Sequence, residues 1–422
     1  MDHPATDART VDRRIEDVLR AETPHVLGAL VRRFGRFALA EEATQEALLA
    51  AGRAWTAGTV PDEPRSWLIR VGYRKMVDLI RSEQASRRRE EEFAYSAAVL
   101  VDSDRPGPVL GDRDDSLLLL LLCCHPTLSE TSQVALTLRA VGGLTTAEIA
   151  HAYGTTEATL GTRISRAKQT LKRSGARFEI RADEDLAART TTVMRVLYLV
   201  FNEGYTASAG DELSRADLTA EAIRLTRMLC SHVPDDPEAT GLLSLMLLTE
   251  ARRSARTDTD DELVPLAEQD RSRWDSRLTA EGTRLIEQAW ARNHVGPYQL
   301  QAAIAATHTQ AGTSDETDWP QIAALYLWLE QLQPTAPVRL SRVVAVAHAF
   351  GPRRGVALLD EFDRTHGITD DPLVAQRART VRAHLLDQLG DGTRAREQFR
   401  AAAELTANDS ERRYLLRRAG DR

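Results

Sequence analysis

From Leu144 to Lys172 the chain reads LTTAEIAHAYGTTEATLGTRISRAKQTLK, and the groups on it that could do chemistry are hydroxyls and cations. Thr145 and Thr146 give a short helix a polar start, and Ile149 and Ala150 give it an inward face. Gly154 falls at a turn four residues after Ala150, where glycine adopts a left-handed backbone at little cost. Thr155 or Thr156 caps a second helix whose inward stripe is Leu160, Ile164, Ala167 and Leu171. Its opposite face carries Glu157, Thr159, Thr162, Arg163, Arg166, Lys168 and Lys172. Such a helix suits the major groove, its first turns reaching base edges and its later cations reaching phosphates. Seven basic residues between 139 and 177 oppose only Glu148 and Glu157, a local charge of about +5 in a chain whose net charge is −7. A solvated basic helix in an ordinary bundle would share this composition; the turn spacing favours DNA. A helix-turn-helix alone does not choose among the classes of DNA-binding protein.

A second basic segment, EPRSWLIRVGYRKMVDLIRSEQASRRR from Glu63 to Arg89, sets eight cations against Glu63, Asp78 and Glu83. Arg65, Arg70, Arg74, Lys75 and Arg81 are interleaved with Trp67 and Tyr73. Aromatic rings beside guanidinium groups suit unpaired bases, because every base offers a stacking face while the cations follow the backbone. Core packing is the competing role for both rings, and the favoured one for Trp67. Upstream, AEEATQEALLAAGRAW places Glu41, Glu42, Gln45 and Glu46 on one polar helix face. Such a face repels DNA and fits a basic protein partner.

Other candidates point to structure. Cys123-Cys124-His125 lacks a second ligand pair, and the chain's three cysteines contain no C-x-x-C spacing, so neither a zinc site nor a disulfide framework is expected. Asp270, Arg271, Arg273, Trp274 and Asp275 could line a small-molecule pocket or supply paired carboxylates, but an interhelical salt-bridge network is the favoured reading. Asn202-Glu203-Gly204-Tyr205, with Tyr298, Gln299 and Gln301, either binds a ligand or ties helices together. No cofactor is implied.

The elements that must position these groups are helical. Apolar residues recur at helical period almost throughout, strand-type alternation is nearly absent, and glycine and proline fall between the periodic segments, so the fold class is all-α. At 422 residues the chain exceeds one ordinary core. Helices are expected at Arg13–Phe34, Leu39–Ala54 and Pro64–Ser82, the last with a bend near Gly72, and residues 11–89 form a first domain. An acidic, Pro- and Gly-containing linker spans 90–115, a second helical domain 116–178, and a third region 185–422. In that third region 217–250 and 319–349 look like antiparallel helix pairs. Leu389-Gly390, Ala395, Phe399 and Ala402 sit at offsets similar to a tetratricopeptide helix-turn-helix. The polar N-terminus has no apolar export segment, and the longest aliphatic run, Leu117–Leu122, is too short to span a bilayer. A cytoplasmic protein without membrane contact is expected.

The acidic helix ending in Ala54-Trp55, the Pro64-x-x-Trp67-Leu68 start of a basic helix, the acidic linker and the distal helix-turn-helix together resemble regions 2 and 4 of extracytoplasmic-function sigma factors. CCHPTLSETSQVALTLRAVGGLTTAEIA, Val200–Tyr205, Gln269–Asp275 and Gly296–Ala306 further resemble the subgroup with a long tetratricopeptide-like C-terminal domain. The resemblance implies an initiation subunit without catalytic residues, whose partners are core RNA polymerase (β′ and β subunits) and promoter DNA. It assigns Glu41, Glu42, Gln45 and Glu46 to the β′ coiled-coil, the Arg65–Arg81 helix to the −10 element, and the Thr155–Lys172 helix to the −35 element. Arg74 stands where many members have asparagine, which leaves the −10 base preference open. A contact of the C-terminal domain with the sigma domains, or an anti-sigma or other protein partner, would regulate it. The rival readings are a one-component regulator that senses a ligand with its helical domain, and an enzyme in the C-terminal helices, for which no nucleophile–base pair, phosphate loop or metal motif is present.

Overall fold

The computed structural model describes residues 5–55, 60–91, 116–153, 155–174, 183–206, 215–258, 263–371, 374–406 and 408–420. Gly154, Phe178 and nearly all of the acidic segment 90–115 lie outside them, as do the side chains of Arg87, Arg88 and Arg89. Among the described residues the structure is all-α, with one isolated bridge between Thr257 and Leu263. By contacts the chain divides into two compact units, Met1–His151 with Thr155–Val196, and Leu197–Arg422 with Ala152–Gly154. The segments 11–89 and 116–178, read from the sequence as separate domains, therefore lie within one compact unit.

In the first unit, helices α1 (Ala5–Phe34), α2 (Phe37–Ala54) and α3 (Pro64–Glu91) pack on one another. Val26, Leu27 and Leu30 of α1 and Leu68 and Met76 of α3 are buried, while Ala40, Ala43, Ala47 and Ala51 give α2 a fully buried face of small residues. Small side chains let the helix axes approach closely. Gly72 serves that approach: α3 runs unbroken through it, and a Cβ there would sit 2.9 Å from Leu30 Cδ1. The glycine read from the sequence as a bend is thus a crossing point.

The helix-turn-helix half comprises α4 (Ser116–Cys123), α5 (Glu130–Ala140), α6 (Thr146–Ala152) and α7 (Glu157–Arg173). Cys123 and Cys124 are fully buried at the end of α4, and burial pushes both thiols up, Cys124 to about 12, so they remain protonated and pack as small apolar groups. The next helix is α8 (Asp183–Tyr205).

The second unit is a succession of helix pairs: α9 (Ala216–His232) with α10 (Pro237–Glu250), α11 (Ser276–Trp290) with α12 (Pro297–Gln310), α13 (Trp319–Leu332) with α14 (Ala336–Phe350), α15 (Pro352–His366) with α16 (Ala375–Gln388), and α17 (Gly392–Ala403) with α18 (Asp409–Ala419). Asp236, Asp275, Asp318, Asp391 and Asn408 each cap a helix by accepting backbone N–H bonds, and Pro237 and Pro320 lie in first turns where an N–H has no helical partner anyway. Each cap contributes about 1 kcal/mol. The tetratricopeptide-like turn falls between α16 and α17, with Gly390 at φ +85° and Ala395, Phe399 and Ala402 buried against Leu386 and Tyr414.

Candidate nucleic-acid interface

The recognition helix α7 is set by its ends and its stripe. Thr156 is the N-cap, its hydroxyl accepting from the Thr159 backbone N–H at 3.2 Å, and Leu160, Ile164, Ala167 and Leu171 are buried as the spacing predicts. The preceding helix is held by a reciprocal capping box that was not singled out from the sequence. Thr145 N–H donates to Glu148 at 2.6 Å, and Glu148 N–H donates to the Thr145 hydroxyl at 3.1 Å. The signal was present as the T-x-x-E spacing of Thr145 and Glu148. Burial disfavours the Glu148 carboxylate, but bonds from Thr145 and the guanidinium of Arg20 outweigh it and hold its pKa below the usual range.

On the outward face of α7, Thr156, Glu157, Thr159, Thr162, Arg166 and Lys172 are exposed, and Thr155, Arg163 and Lys168 half-buried. Thr159, Thr162, Arg163 and Arg166 line a cleft of about 520 Å³ whose other wall is Ser129, Thr131 and Ser132 at the start of α5. The sequence reading missed these three hydroxyls; their signal was a Ser/Thr cluster ahead of an amphipathic helix. Hydroxyls, a helix start and two guanidinium groups facing one opening suit a phosphate backbone.

On α3, Arg70, Arg74 and Arg81 are exposed, at offsets of four and seven that place them on one face. The other residues of the set are engaged. Arg65 pairs with Glu22 at 2.7 Å, and Lys75 with Glu46 at 3.4 Å. Trp67 packs on the buried Trp55 with ring centroids 5.3 Å apart, and Tyr73 packs on Phe34 at the same distance. On α2, Glu42, Gln45 and Glu46 are exposed and continue into Leu49, itself 54 % exposed, an i, i+3, i+4, i+7 stripe. Glu41 does not share that face. It is 9 % exposed and ion-paired with Lys168 of α7, with Arg139 of α5 at 3.9 Å.

The motifs of the second unit resolve into structural roles. Asp270 accepts from Ser272 N–H at 2.9 Å and Asp275 caps α11, while Arg271 donates to the carbonyls of His308 and Ala311 at 2.5 and 2.6 Å. Capping and carbonyl contacts thus take the place of the salt-bridge network expected there. A Cβ at Gly204 would lie 2.7 Å from Thr219 N, and Arg256 stacks over Tyr205 at 3.7 Å. Tyr198 donates to Gln301 at 3.0 Å, Tyr298 packs on Tyr198 with centroids 5.5 Å apart, and Gln299 donates to Glu238 at 3.1 Å. These residues tie helices together.

Comparison with known proteins supplies the family. Models of sigma-70 region 2 and sigma-70 region 4 match residues 18–86 and 118–171, and a family of unknown function (DUF6596) matches 189–290. An ECF RNA polymerase sigma factor SigK of Mycobacterium ulcerans is 28% identical over 149 residues, 35% of this chain and 78% of that protein. The chain is a sigma factor of the extracytoplasmic-function type. Its additional C-terminal helical domain is shared with an uncharacterized protein, R00370, of Rhizobium meliloti, 39% identical over 409 residues and covering 95% of this chain and 94% of that one. No solved structure matches the whole sigma factor or its parts. No helix among the described residues of the sigma factor is long and apolar enough to cross a membrane.

Proposed function

We propose that the chain binds core RNA polymerase and directs promoter-specific initiation, its C-terminal helical domain regulating that activity. The observation that carries this reading is the segregation of charge in the first unit: exposed cations on α3 and α7, and an exposed acidic stripe on α2. Glu42, Gln45 and Glu46, extended by Leu49, dock the β′ coiled-coil. Arg70, Arg74 and Arg81 engage the −10 strand backbone, with Arg65, Trp67, Tyr73 and Lys75 supporting that face from their packed positions. The face from Thr155 to Lys172 engages the −35 element, Thr156, Glu157, Thr159 and Thr162 toward bases, and Arg163, Arg166 and Lys172 toward phosphates. The β subunit, and an anti-sigma or other protein partner, complete the set of proposed partners. The work is that of an initiation subunit in the cytoplasm, with catalysis left to the polymerase.

Run-off transcription with core polymerase on a promoter library tests it, comparing the full chain, a Glu42→Ala/Gln45→Ala variant, and a chain ending at residue 206, which keeps α8. Promoter-specific transcripts that fall in the double variant are expected, and the truncation gives the sign of C-terminal control. Tight duplex binding by the chain alone, with no transcripts in the presence of core, would replace this reading with a one-component regulator.

A further inference from the structure

The loop between α10 and α11 does not stay beside its own helix pair. Leu263 packs against the cluster that holds Phe399 and Tyr414, and Arg271 is tied to the carbonyls of His308 and Ala311 and to the Thr317 hydroxyl. Between these two anchors, Pro265 to Glu268 form a strap that encloses, against α12, α14, α16 and α18, a cavity of about 400 Å³ lying wholly within the second unit. That volume falls in the range of small-molecule pockets. Val344, Ala347, Val381 and Leu385 supply its aliphatic wall. Trp319 and His348 line it as a stacked pair, ring centroids 4.0 Å apart and planes 10° from parallel, and His308 meets Trp319 edge-on at 5.2 Å. From the following helix pairs come His384 and Tyr414, whose hydroxyl lies 3.2 Å from the His384 Nε2.

The charges on this wall are already engaged. Arg418 pairs with Asp387 at 3.0 Å, Arg271 is held by carbonyls, and Glu268 is exposed to solvent. An ionic ligand enclosed here would lack a counter-charge, which is costly. Neutral polar capacity is left over: His308 is 8 % exposed, and its Nδ1 has no hydrogen-bond partner among the described residues. Burial pushes His308 down to about 3 and His384 to about 4, so both imidazoles are neutral near pH 7, each with one donor and one acceptor. Three imidazoles line the cavity, yet among the described residues no group of three His, Cys, Asp or Glu is placed to hold a metal ion. With the strap across it, the chamber suits a small molecule rather than a polypeptide chain. We propose that this cavity binds an uncharged, planar, fused-ring aromatic molecule, its rings packed against the Trp319–His348 stack and its polar group meeting His308. The site uses none of the residues assigned to polymerase or promoter, so the proposal goes beyond the sigma-factor reading and stands or falls without it.

Titration calorimetry on the full chain, with ligand-observed NMR as a second readout, tests this with three probes at about pH 7.5. 2-Naphthol is planar and, as a phenol, uncharged at that pH; 2-naphthoate is planar and anionic; decahydro-2-naphthol is uncharged and not planar. 2-Naphthol should occupy one saturable site with a Kd on the order of 0.1–1 mM, as befits a ligand of so few atoms. The naphthoate should bind roughly tenfold more weakly for want of a counter-charge, and the saturated alcohol roughly fivefold more weakly for want of ring stacking. Val344→Phe, at a half-buried position, narrows the chamber and should abolish binding, and His348→Ala, which removes an exposed ring from the stack, should weaken it roughly fivefold. Circular dichroism reports whether each variant is folded; if Val344→Phe is not, His348→Ala decides alone. Absence of saturable 2-naphthol binding up to about 5 mM, equal affinity for all three probes, or unchanged affinity in either folded variant overturns the proposal.

Discussion

Replacing Arg163 and Arg166 together by alanine tests the reading of the α5–α7 cleft in numbers. Both guanidinium groups line the cleft opposite Ser129, Thr131 and Ser132, and neither belongs to the buried stripe of α7, so folding is spared. A cation that neutralises one phosphate releases condensed counterions and adds about 0.9 to the slope of log K against log salt. Two such contacts add about 1.8, so between about 50 and 200 mM salt they account for roughly a twelvefold loss of affinity in the parent protein that the variant does not suffer. The assay is promoter binding by holoenzyme reconstituted with each chain, titrated over that range on the preferred promoter and on one altered in the −35 element. The variant should bind both more weakly by a similar factor and with a shallower slope. If affinity falls with the slope unchanged, or only on the preferred promoter, the arginines read bases and the cleft is not a phosphate seat.

Three further outcomes follow from the packing. Thr156→Ala removes the cap of the recognition helix and should cost about 1 kcal/mol in denaturant unfolding of the first unit, with Thr156→Ser close to the parent; equal stability of all three chains would deny the cap its role. Gly241→Ala should destabilise the second unit by roughly 1–3 kcal/mol despite alanine's better helix propensity, because the new Cβ would stand 2.7 Å from Gln299 Cγ and 2.9 Å from its backbone nitrogen. Calorimetry that showed a higher Tm would mean α10 and α12 separate freely. Burial pushes His308 down to about 3 and His384 to about 4, so both stay neutral when folded while the unfolded chain gains protons below about 6.5. Stability of the second unit should therefore be level above that pH and fall as pH drops from about 6.5 toward 5, by up to about 2 kcal/mol per histidine. His384→Gln should flatten the fall, and a parent curve level down to pH 5 would refute the burial argument.

Local information settled much of this protein. The capped, striped geometry of α7 follows from Thr156 and from Leu160, Ile164, Ala167 and Leu171, because a 3.6-residue period and a hydroxyl at the helix start are properties of neighbouring residues. The same reasoning identified α2, the helix pairs at 217–250 and 319–349, and the turn at Leu389-Gly390. It misjudged Gly72, whose role depends on Leu30 more than forty positions earlier, and the Asp270–Asp275 cluster, whose carboxylates cap the turns that follow them while Arg271 reaches the carbonyls of His308 and Ala311.

What no local pattern could supply is partnership. Glu41 and Glu42 are adjacent, chemically alike and equally polar in the sequence, yet one is buried against Lys168 and Arg139 and the other faces solvent. Core packing is the favoured sequence reading for Trp67 and a competing one for Tyr73, but only the tertiary structure puts Trp55 and Phe34 beside them. The sequence by itself determined the helices, the helix-turn-helix and the separation of acidic from basic faces, since these depend on side-chain type and short-range spacing. Tertiary structure alone decided which of those charges remain available, because an ion pair between residues 41 and 168 depends on how α2, α5 and α7 pack, and no periodicity in the chain encodes that distance.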